Sequence, residues 1–412
     1  MHETTSSLFS SHTVKPARRD IAEEMRPRRN YRATSSLQAI AERCPLQANP
    51  FRWGASEEEN MWVRFERYTR LWAVVLPAAL APLALIIVNA HCNVMAAKSS
   101  GYRVLARRTL GREGFWDYLT LDPVARRLYI SRWTHVMVVD ADSYQPVGDI
   151  PDIAGAHGIA IAREFGRGFI TEGEGNRVAI FDLRTLKKIG AVKTGQGPDG
   201  IIYDPSSKRV FAFNGRDGTA SVIEASTGAV VGTIDLGGSP EFAAADEEGH
   251  VYNNLEDENQ VLQIDSKTLK VLNRWSIAPG ESPSAMAIDR SHHRLFIGCH
   301  NRLMVVMDAD TGRVAATPAI GEGVDAARFD PSTQLVFSSN GEGSLSVIHE
   351  DSPNRYTLVD KVKTERGART MELDPKTHRV YTVTADLGPQ PSEPHEPPTM
   401  LPGSFRLLVL GQ

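Results

Sequence analysis

The chain has 412 residues, of which 41% are hydrophobic and 23% are charged, a composition that is ordinary for a globular protein. Its 46 basic and 50 acidic residues give a net charge of -4, which argues against a nucleic-acid partner, because nucleic-acid-binding proteins present a basic surface to phosphate groups. Of its three cysteines, Cys44 and Cys92 lie upstream of the repeats described below and Cys299 lies within them. We therefore expect no disulfide inside the repeat region.

The first 60 residues are rich in Ser, Arg and Glu and show no sustained apolar periodicity. Such a segment buries too little apolar surface to offset the entropy lost when a chain is ordered. We interpret residues 1–60 as a disordered segment, or as an upstream extension that precedes a native start at Met61.

Residues 61–97 have the layout of a signal peptide or membrane anchor. Residues 71–88 (LWAVVLPAALAPLALIIV) carry no charge, follow three arginines, and precede the small residues of VMAA. If the segment is cleaved, the protein is periplasmic or secreted. If it is not cleaved, residues 71–88 are just long enough to span the inner membrane and are the only membrane contact we expect. The arginines before this segment predict that the following chain lies outside the cytoplasm in both cases.

From residue 98 to residue 412 the sequence repeats with a period of 40 to 44 residues. In the clearest copy, four apolar runs (GIIYD, RVFAFN, TASVIEA and AVVGTID) are separated by turn residues, as in four short strands. An aromatic residue opens the second strand of each copy: Tyr129, Phe169, Phe211, Tyr252, Phe296, Phe337 and Tyr381. Seven copies at this period predict an all-β, seven-bladed β-propeller.

Two further features complete the predicted ring. Most copies have an aspartate at the first turn, often followed by proline, and we interpret these aspartates as structural. The seventh copy lacks one strand, and residues 102–111 (YRVLARRTLG) have the pattern of a fourth strand such as LKKIGAVKTG. We therefore predict that this N-terminal strand completes blade seven and removes the free sheet edges.

The repeats resemble those of the bacterial YVTN-repeat (YncE-like) propeller family. The segments HGIAIA, PDGIIYDP, VFAFNG, VIEASTGAVVGTI and RLFIGCHN carry the resemblance, which covers about residues 102–412. It implies a propeller fold and an extracytoplasmic location, and it implies no shared catalytic motif.

A polar residue recurs five positions before each first turn. The innermost strand of each propeller blade lines the central channel, so these residues should meet at the channel mouth, where loops converge on a rigid scaffold. We predict that they form a ligand-binding ring: Asp117, His157, Asp199, Glu241, Ser284, Asp325 and Arg369.

Four carboxylates around one axis repel each other unless a cation, Arg369 or protons compensate. A divalent cation (Ca, Mg or Mn) is therefore one prediction, with the ligands Asp199, Glu241, Asn254 and Asp325. The alternative is a water-filled mouth whose carboxylates stay hydrated. We predict no other cofactor.

The preferred function is that of an exported, monomeric binding or scaffold protein, which recognises a small ligand, a peptide or an envelope protein at the mouth. The alternative is a divalent-metal-dependent hydrolase or lactonase, because Glu241, Asn254 and Asp325 are similar to the metal ligands of gluconolactonase-like propellers; those propellers have six blades, and the catalytic residues stay unassigned. The proline-rich loop 385–403 is expected on the mouth face as a lid, a linker or a docking segment.

Overall fold

The computed structural model describes residues 99–111, 114–389 and 399–412. These residues form β-strands, joined by turns and by one 3-10 turn at Arg163–Phe165. The strands are β1 (Arg103–Thr109), β2 (Leu119–Asp122), β3 (Arg127–Ser131), β4 (Val136–Asp140), β5 (Pro146–Ile150), β6 (Ala156–Ala162), β7 (Arg167–Glu172), β8 (Arg177–Asp182), β9 (Lys188–Lys193), β10 (Pro198–Asp204), β11 (Arg209–Asn214), β12 (Thr219–Glu224), β13 (Val230–Asp235), β14 (Pro240–Ala245), β15 (His250–Leu255), β16 (Gln260–Asp265), β17 (Lys270–Ser276), β18 (Pro283–Asp289), β19 (Arg294–Cys299), β20 (Leu303–Asp308), β21 (Val314–Ala316), β22 (Val324–Asp330), β23 (Leu335–Asn340), β24 (Ser344–Ser352), β25 (Arg355–Lys363), β26 (Met371–Asp374), β27 (Arg379–Thr384) and β28 (Arg406–Gly411).

The strands of the described region form seven antiparallel sheets of four strands each, which we call blades 1 to 7. Blades 1 to 6 are β2–β5, β6–β9, β10–β13, β14–β17, β18–β21 and β22–β25, and blade 7 is β26, β27, β28 and β1. The innermost strands contact one another in sequence, and β26 contacts β2, so the blades form a closed ring. The prediction of an all-β, seven-bladed propeller is confirmed.

The burial of the strands explains the apolar runs in the sequence. Strand β11 is almost completely buried, because neighbouring blades cover both of its faces, whereas β13 at the outer edge of the same blade is largely exposed. A strand that is buried on both faces needs apolar residues at successive positions, so it reads as a run rather than an alternation. In the amino-acid sequence, the repeat is therefore recognised mainly from the apolar runs of the second and third strands of each blade.

The first strand of the chain belongs to the last blade. Strand β1 pairs antiparallel with β28 from Arg103 opposite Gly411 to Thr109 opposite Arg406. Blade 7 therefore contains both ends of the described chain. Its outer strand, β1, is hydrogen-bonded to β28 on the side that faces the channel.

The first-turn aspartates are structural, as predicted. Asp204 accepts hydrogen bonds from the backbone N–H groups of Ser206 and Ser207 at 3.1 and 3.0 Å, and it is fully buried. At three blade interfaces a basic side chain of the next blade contacts this carboxylate; the pairs are Asp122 with Arg163, Asp330 with His378 and Asp374 with Arg126. These buried carboxylates are thus matched by basic groups across the interface.

The predictions for residues 1–60 and 61–97 fall outside the described residues, as does the middle of the loop 385–403. The two ends of that loop meet in a β-bridge between Leu387 and Met400. Within residues 99–111, 114–389 and 399–412, no helix has the length and hydrophobicity that a membrane span requires.

Candidate functional site

The predicted ring residues of blades 2 to 6 lie where the innermost strand has one residue more than its partner. In blade 3, for example, the pairing shifts between Pro198 and Ile201, so Asp199 lies in a β-bulge. A bulge bends a strand and changes the direction of a side chain, which places such residues at functional sites. The five bulges contain His157, Asp199, Glu241, Ser284 and Asp325.

His157 connects two acidic residues of neighbouring blades. Its Nδ1 atom lies 2.7 Å from Oδ2 of Asp117 and 3.7 Å from Oδ1 of Asp199. Burial would lower the pKa of His157, but the Asp199 and Asp117 carboxylates outweigh it and raise this pKa to about 9. The imidazole is therefore protonated at neutral pH and donates its Nδ1 proton to Asp117.

Arg369 extends this line of charges in the other direction. Its Nε atom donates to Oδ2 of Asp325 at 2.6 Å, and its guanidinium lies 4.0 Å from Asp117. The Asp325 carboxylate and, to a smaller extent, Asp117 raise the pKa of Arg369. Two acids, Asp117 and Asp325, are thus matched by two cations, His157 and Arg369.

The remaining two acids are less well matched, because Asp199 shares His157 with Asp117 and Glu241 forms no ion pair with the described residues. Burial raises the pKa of Asp199 to about 6, although the His157 charge acts in the opposite direction. Burial and the nearby Asp199 carboxylate raise the pKa of Glu241 well above its usual value. The Asp199 side chain keeps 35% of its surface open to water, but protein surrounds it inside the channel, and its Oδ1 atom accepts no hydrogen bond. Both acids therefore ionise less readily than an exposed carboxyl group, and a cation bound beside them would favour their ionised forms.

Two aromatic rings close the channel beneath these charges. Tyr118 of blade 1 stacks on Phe242 of blade 4, with ring centroids 4.6 Å apart and planes inclined by 25°. Blades 1 and 4 are not neighbours, so this pair crosses the axis of the ring. Gly200 lies beside this pair, since a Cβ atom at this position would be 3.4 Å from the Tyr118 hydroxyl and 3.1 Å from the Glu241 carbonyl oxygen. The mouth is therefore a cup with an aromatic floor rather than an open pore.

A further aromatic residue lies at the rim of the mouth. Trp133, in the loop between β3 and β4, meets the His157 ring edge-on at a centroid distance of 5.5 Å. Gly173 lies on the other side of His157, where a Cβ atom would come within 2.9 Å of the imidazole. His157 is thus held between a tryptophan, a glycine and a carboxylate, which fixes its position at the rim.

The structure brings six of the seven predicted ring residues to one region, which we call the mouth cluster: Asp117, His157, Asp199, Glu241, Asp325 and Arg369. Ser284 differs, because it is buried and its hydroxyl donates to the carbonyl of Val324 in the next blade at 2.8 Å. It therefore links two blades.

The predicted metal ligands do not form a compact group. Among the described residues, the mouth residues whose donor atoms lie within 4.8 Å of one another are Asp117, His157 and Asp199, rather than Asp199, Glu241 and Asp325. Asn254 is fully buried and its amide donates to the carbonyl of Ala285 in blade 5 at 3.0 Å. If a cation binds at the mouth, the geometry therefore favours His157 and its two aspartates as ligands.

Sequence reasoning missed the aromatic floor. Tyr118 and Phe242 directly follow the ring residues Asp117 and Glu241, at a position that is otherwise small or Thr: Gly158, Gly200, Ala285, Ala326 and Thr370. An alignment of the repeats therefore shows two aromatic residues at a position where the other copies have small residues or threonine, and this departure indicates a special role. Their contact across the ring, however, depends on closure of the propeller.

Cys299 is not part of the site. It is fully buried in blade 5, and burial raises the pKa of its thiol to about 12. Its environment is therefore that of a packed small residue rather than of an activated nucleophile.

Solved structures with the same architecture are similar to this one. The structure of U3-55K has a TM-score of 0.60 and 10% sequence identity, and the match covers 76% of this chain and 99% of that chain. The crystal structure of the RRP9 WD40 repeats has a TM-score of 0.62 and 10% identity, covering 77% and 99%. At this identity the likeness concerns the fold alone: the chain is a seven-bladed β-propeller. Comparison with protein-family models and with curated proteins gives no match.

Proposed function

We propose that this protein is an exported binding protein of the YVTN-repeat type, which takes a positively charged group of a small ligand or peptide into the mouth cluster. The observation that carries the proposal is the pair Asp199 and Glu241, which are enclosed in the channel with too little positive charge: Asp199 shares His157 with Asp117, and Glu241 forms no ion pair with the described residues. An incoming ammonium or guanidinium group supplies a positive charge that favours the ionised forms of both acids.

The surroundings of these acids favour recognition of an organic cation. Trp133 offers an aromatic face or edge at the rim, and the Tyr118–Phe242 floor limits how deep a ligand enters. Aromatic side chains next to carboxylates are suited to amines, because they combine cation–π attraction with charge-assisted hydrogen bonds. The propeller fold, shared with the RRP9 WD40 repeats, also supports a binding or scaffold role.

Ligand-induced stabilisation tests this function. Butylamine and arginine methyl ester, with butanol as the uncharged control, are added to the wild-type protein and to Asp199→Asn, and melting temperatures are measured. We expect the two cations to raise the melting temperature of the wild type and to have a much smaller effect on the variant. Equal shifts in both proteins, or no shift with either cation, contradict the proposal.

A divalent-metal-dependent hydrolase remains the second candidate, supported by the compact donor set of Asp117, His157 and Asp199. A cation at this set would have to displace the proton of His157, and it would supply Lewis acidity and an activated water. Stoichiometric metal in dialysed protein, lost in His157→Gln, favours this candidate over the first.

Export is part of the proposal and rests on residues 61–97. N-terminal sequencing of the protein isolated from its native host tests it. A mature N-terminus just after residue 97 supports cleavage, whereas a peptide from residues 1–60 contradicts a start at Met61.

A further inference from the structure

A second group of ionisable side chains lies at the first-turn end of blade 5, at the opposite end of the innermost strand from the bulge. It consists of Asp289, His292 and Glu350, whose donor atoms lie within 4.8 Å of one another. His292 Nδ1 is 2.6 Å from Oδ2 of Asp289 and 3.4 Å from Oε1 of Glu350. Asp289 and His292 belong to the first turn of blade 5, and Glu350 belongs to β24 of blade 6.

Glu350 breaks the pattern of the repeats. Its backbone N–H donates to Gln334, as Ala141, Ala225, Ser266 and Ala309 donate at the equivalent position of other blades. Those residues are small and buried, and Glu350 is buried equally well, at 1% exposure. A buried carboxylate at the position of an alanine costs stability unless it is matched by a positive charge.

Among the residues that the structure describes, no arginine or lysine forms an ion pair with Glu350, and the basic side chain beside it is His292. Asp122 and Asp374 each contact an arginine from the next blade and Asp330 contacts His378, but Asp289 contacts Glu350, a second acid, at the corresponding interface. The nearby Arg294 is paired with Asp308 at 2.7 Å and with the carbonyl of Pro353.

The Oε2 atom of Glu350 provides independent support for a ligand. It is enclosed and accepts no hydrogen bond from the described residues, while Oε1 accepts from the Tyr356 hydroxyl at 3.2 Å. Buried carboxylate oxygens are nearly always hydrogen-bonded or bound to a metal ion.

We propose that Asp289, His292 and Glu350 bind a divalent transition-metal ion, with Zn²⁺ as the best fit, and that this ion joins blade 5 to blade 6. Two carboxylates and one imidazole form a mixed oxygen and nitrogen donor set that suits Zn²⁺ better than Ca²⁺ or Mg²⁺. The His292 side chain is 37% exposed, which leaves a path for the ion and for a water as fourth ligand. Binding through Nδ1 requires a neutral imidazole with its proton on Nε2.

Zinc binding by dialysed protein tests this inference. All proteins carry Asp199→Asn, which weakens the compact donor set at the mouth, and the comparison is between Glu350 and Glu350→Gln. Glutamine has nearly the shape of glutamate but lacks its charge, and the surface histidines are the same in both proteins. We expect one Zn²⁺ per chain, a rise in melting temperature with Zn²⁺ but not Mg²⁺, and an affinity about 100-fold lower in the glutamine variant.

A second variant separates metal binding from folding. Glu350→Ala introduces the alanine that blades 1, 3 and 5 have at this position, so we expect it to melt at a higher temperature than its parent without metal and to show no response to Zn²⁺. Equal Zn²⁺ affinity in the parent and in Glu350→Gln overturns the inference, as does the lack of stoichiometric Zn²⁺ binding by the parent.

Discussion

The aromatic floor of the channel gives the most quantitative prediction. Tyr118 and Phe242 are 9% and 8% exposed and are stacked at 4.6 Å across the axis of the ring. Tyr118→Ala removes this buried ring and leaves a cavity that the rigid blades do not fill, a change that typically costs about 3–5 kcal/mol. About 0.5–1.5 kcal/mol is expected from the aromatic contact itself.

Guanidinium unfolding at equilibrium measures this cost, with Tyr118→Phe as the matched control. The phenylalanine keeps the stacked ring and loses only the hydroxyl, so we expect its free energy of unfolding to lie within about 1 kcal/mol of the wild type. If Tyr118→Ala also lies within about 1 kcal/mol, the ring does not fill the axis and the mouth is not a closed cup.

Three further predictions follow from named contacts. Burial raises the pKa of Glu241, so ionisation of this side chain is less favourable in the folded state than in the unfolded state. Glu241→Gln should therefore raise the melting temperature at neutral and alkaline pH. At acid pH, where the glutamate is protonated in both states, the melting temperature should be unchanged. An equal effect at both pH values contradicts this explanation. Gly173→Ala places a Cβ atom 2.9 Å from the His157 ring, so it should weaken the binding of a cationic ligand with little loss of stability. Calorimetry measures this affinity, and an unchanged affinity refutes the role of this packing. Arg126→Ala removes the bidentate partner of the buried Asp374 between blades 1 and 7. Denaturant unfolding should therefore show a free energy of unfolding that is lower by about 3–5 kcal/mol. The control Asp142→Ala, at the exposed end of the same arginine, should lower it by less than about 1 kcal/mol.

The architecture was predictable because it repeats along the chain. Each blade needs the same buried second and third strands, so one copy, such as residues 200–235, indicates the others. The same register located Asp117, His157 and Asp199, since equivalent positions in a closed ring face one axis. These predictions depend only on the repeat and not on the details of packing.

The rest of the site depends on contacts between blades that are distant in sequence. The pairing of Tyr118 with Phe242 requires the ring to close, and the burial of Ser284 depends on how its bulge directs the side chain. Asn254 lies beside Ala285 of the next blade, which its sequence neighbours do not indicate. Glu350 was recognisable as a departure from the repeat, but its contact with Asp289 is a property of the blade interface.

The central claim, that the mouth cluster binds a positively charged group, is tested most directly by calorimetric titration of the wild type with arginine methyl ester in two buffers of different ionisation heat. The pKa of Asp199 is raised to about 6, so cation binding below and near that pH should release protons, and affinity should increase as pH rises through about 6. We predict proton release in the wild type and at least about tenfold weaker binding by Asp199→Asn. Binding that is absent, or that is equal in both proteins without proton release, contradicts the claim.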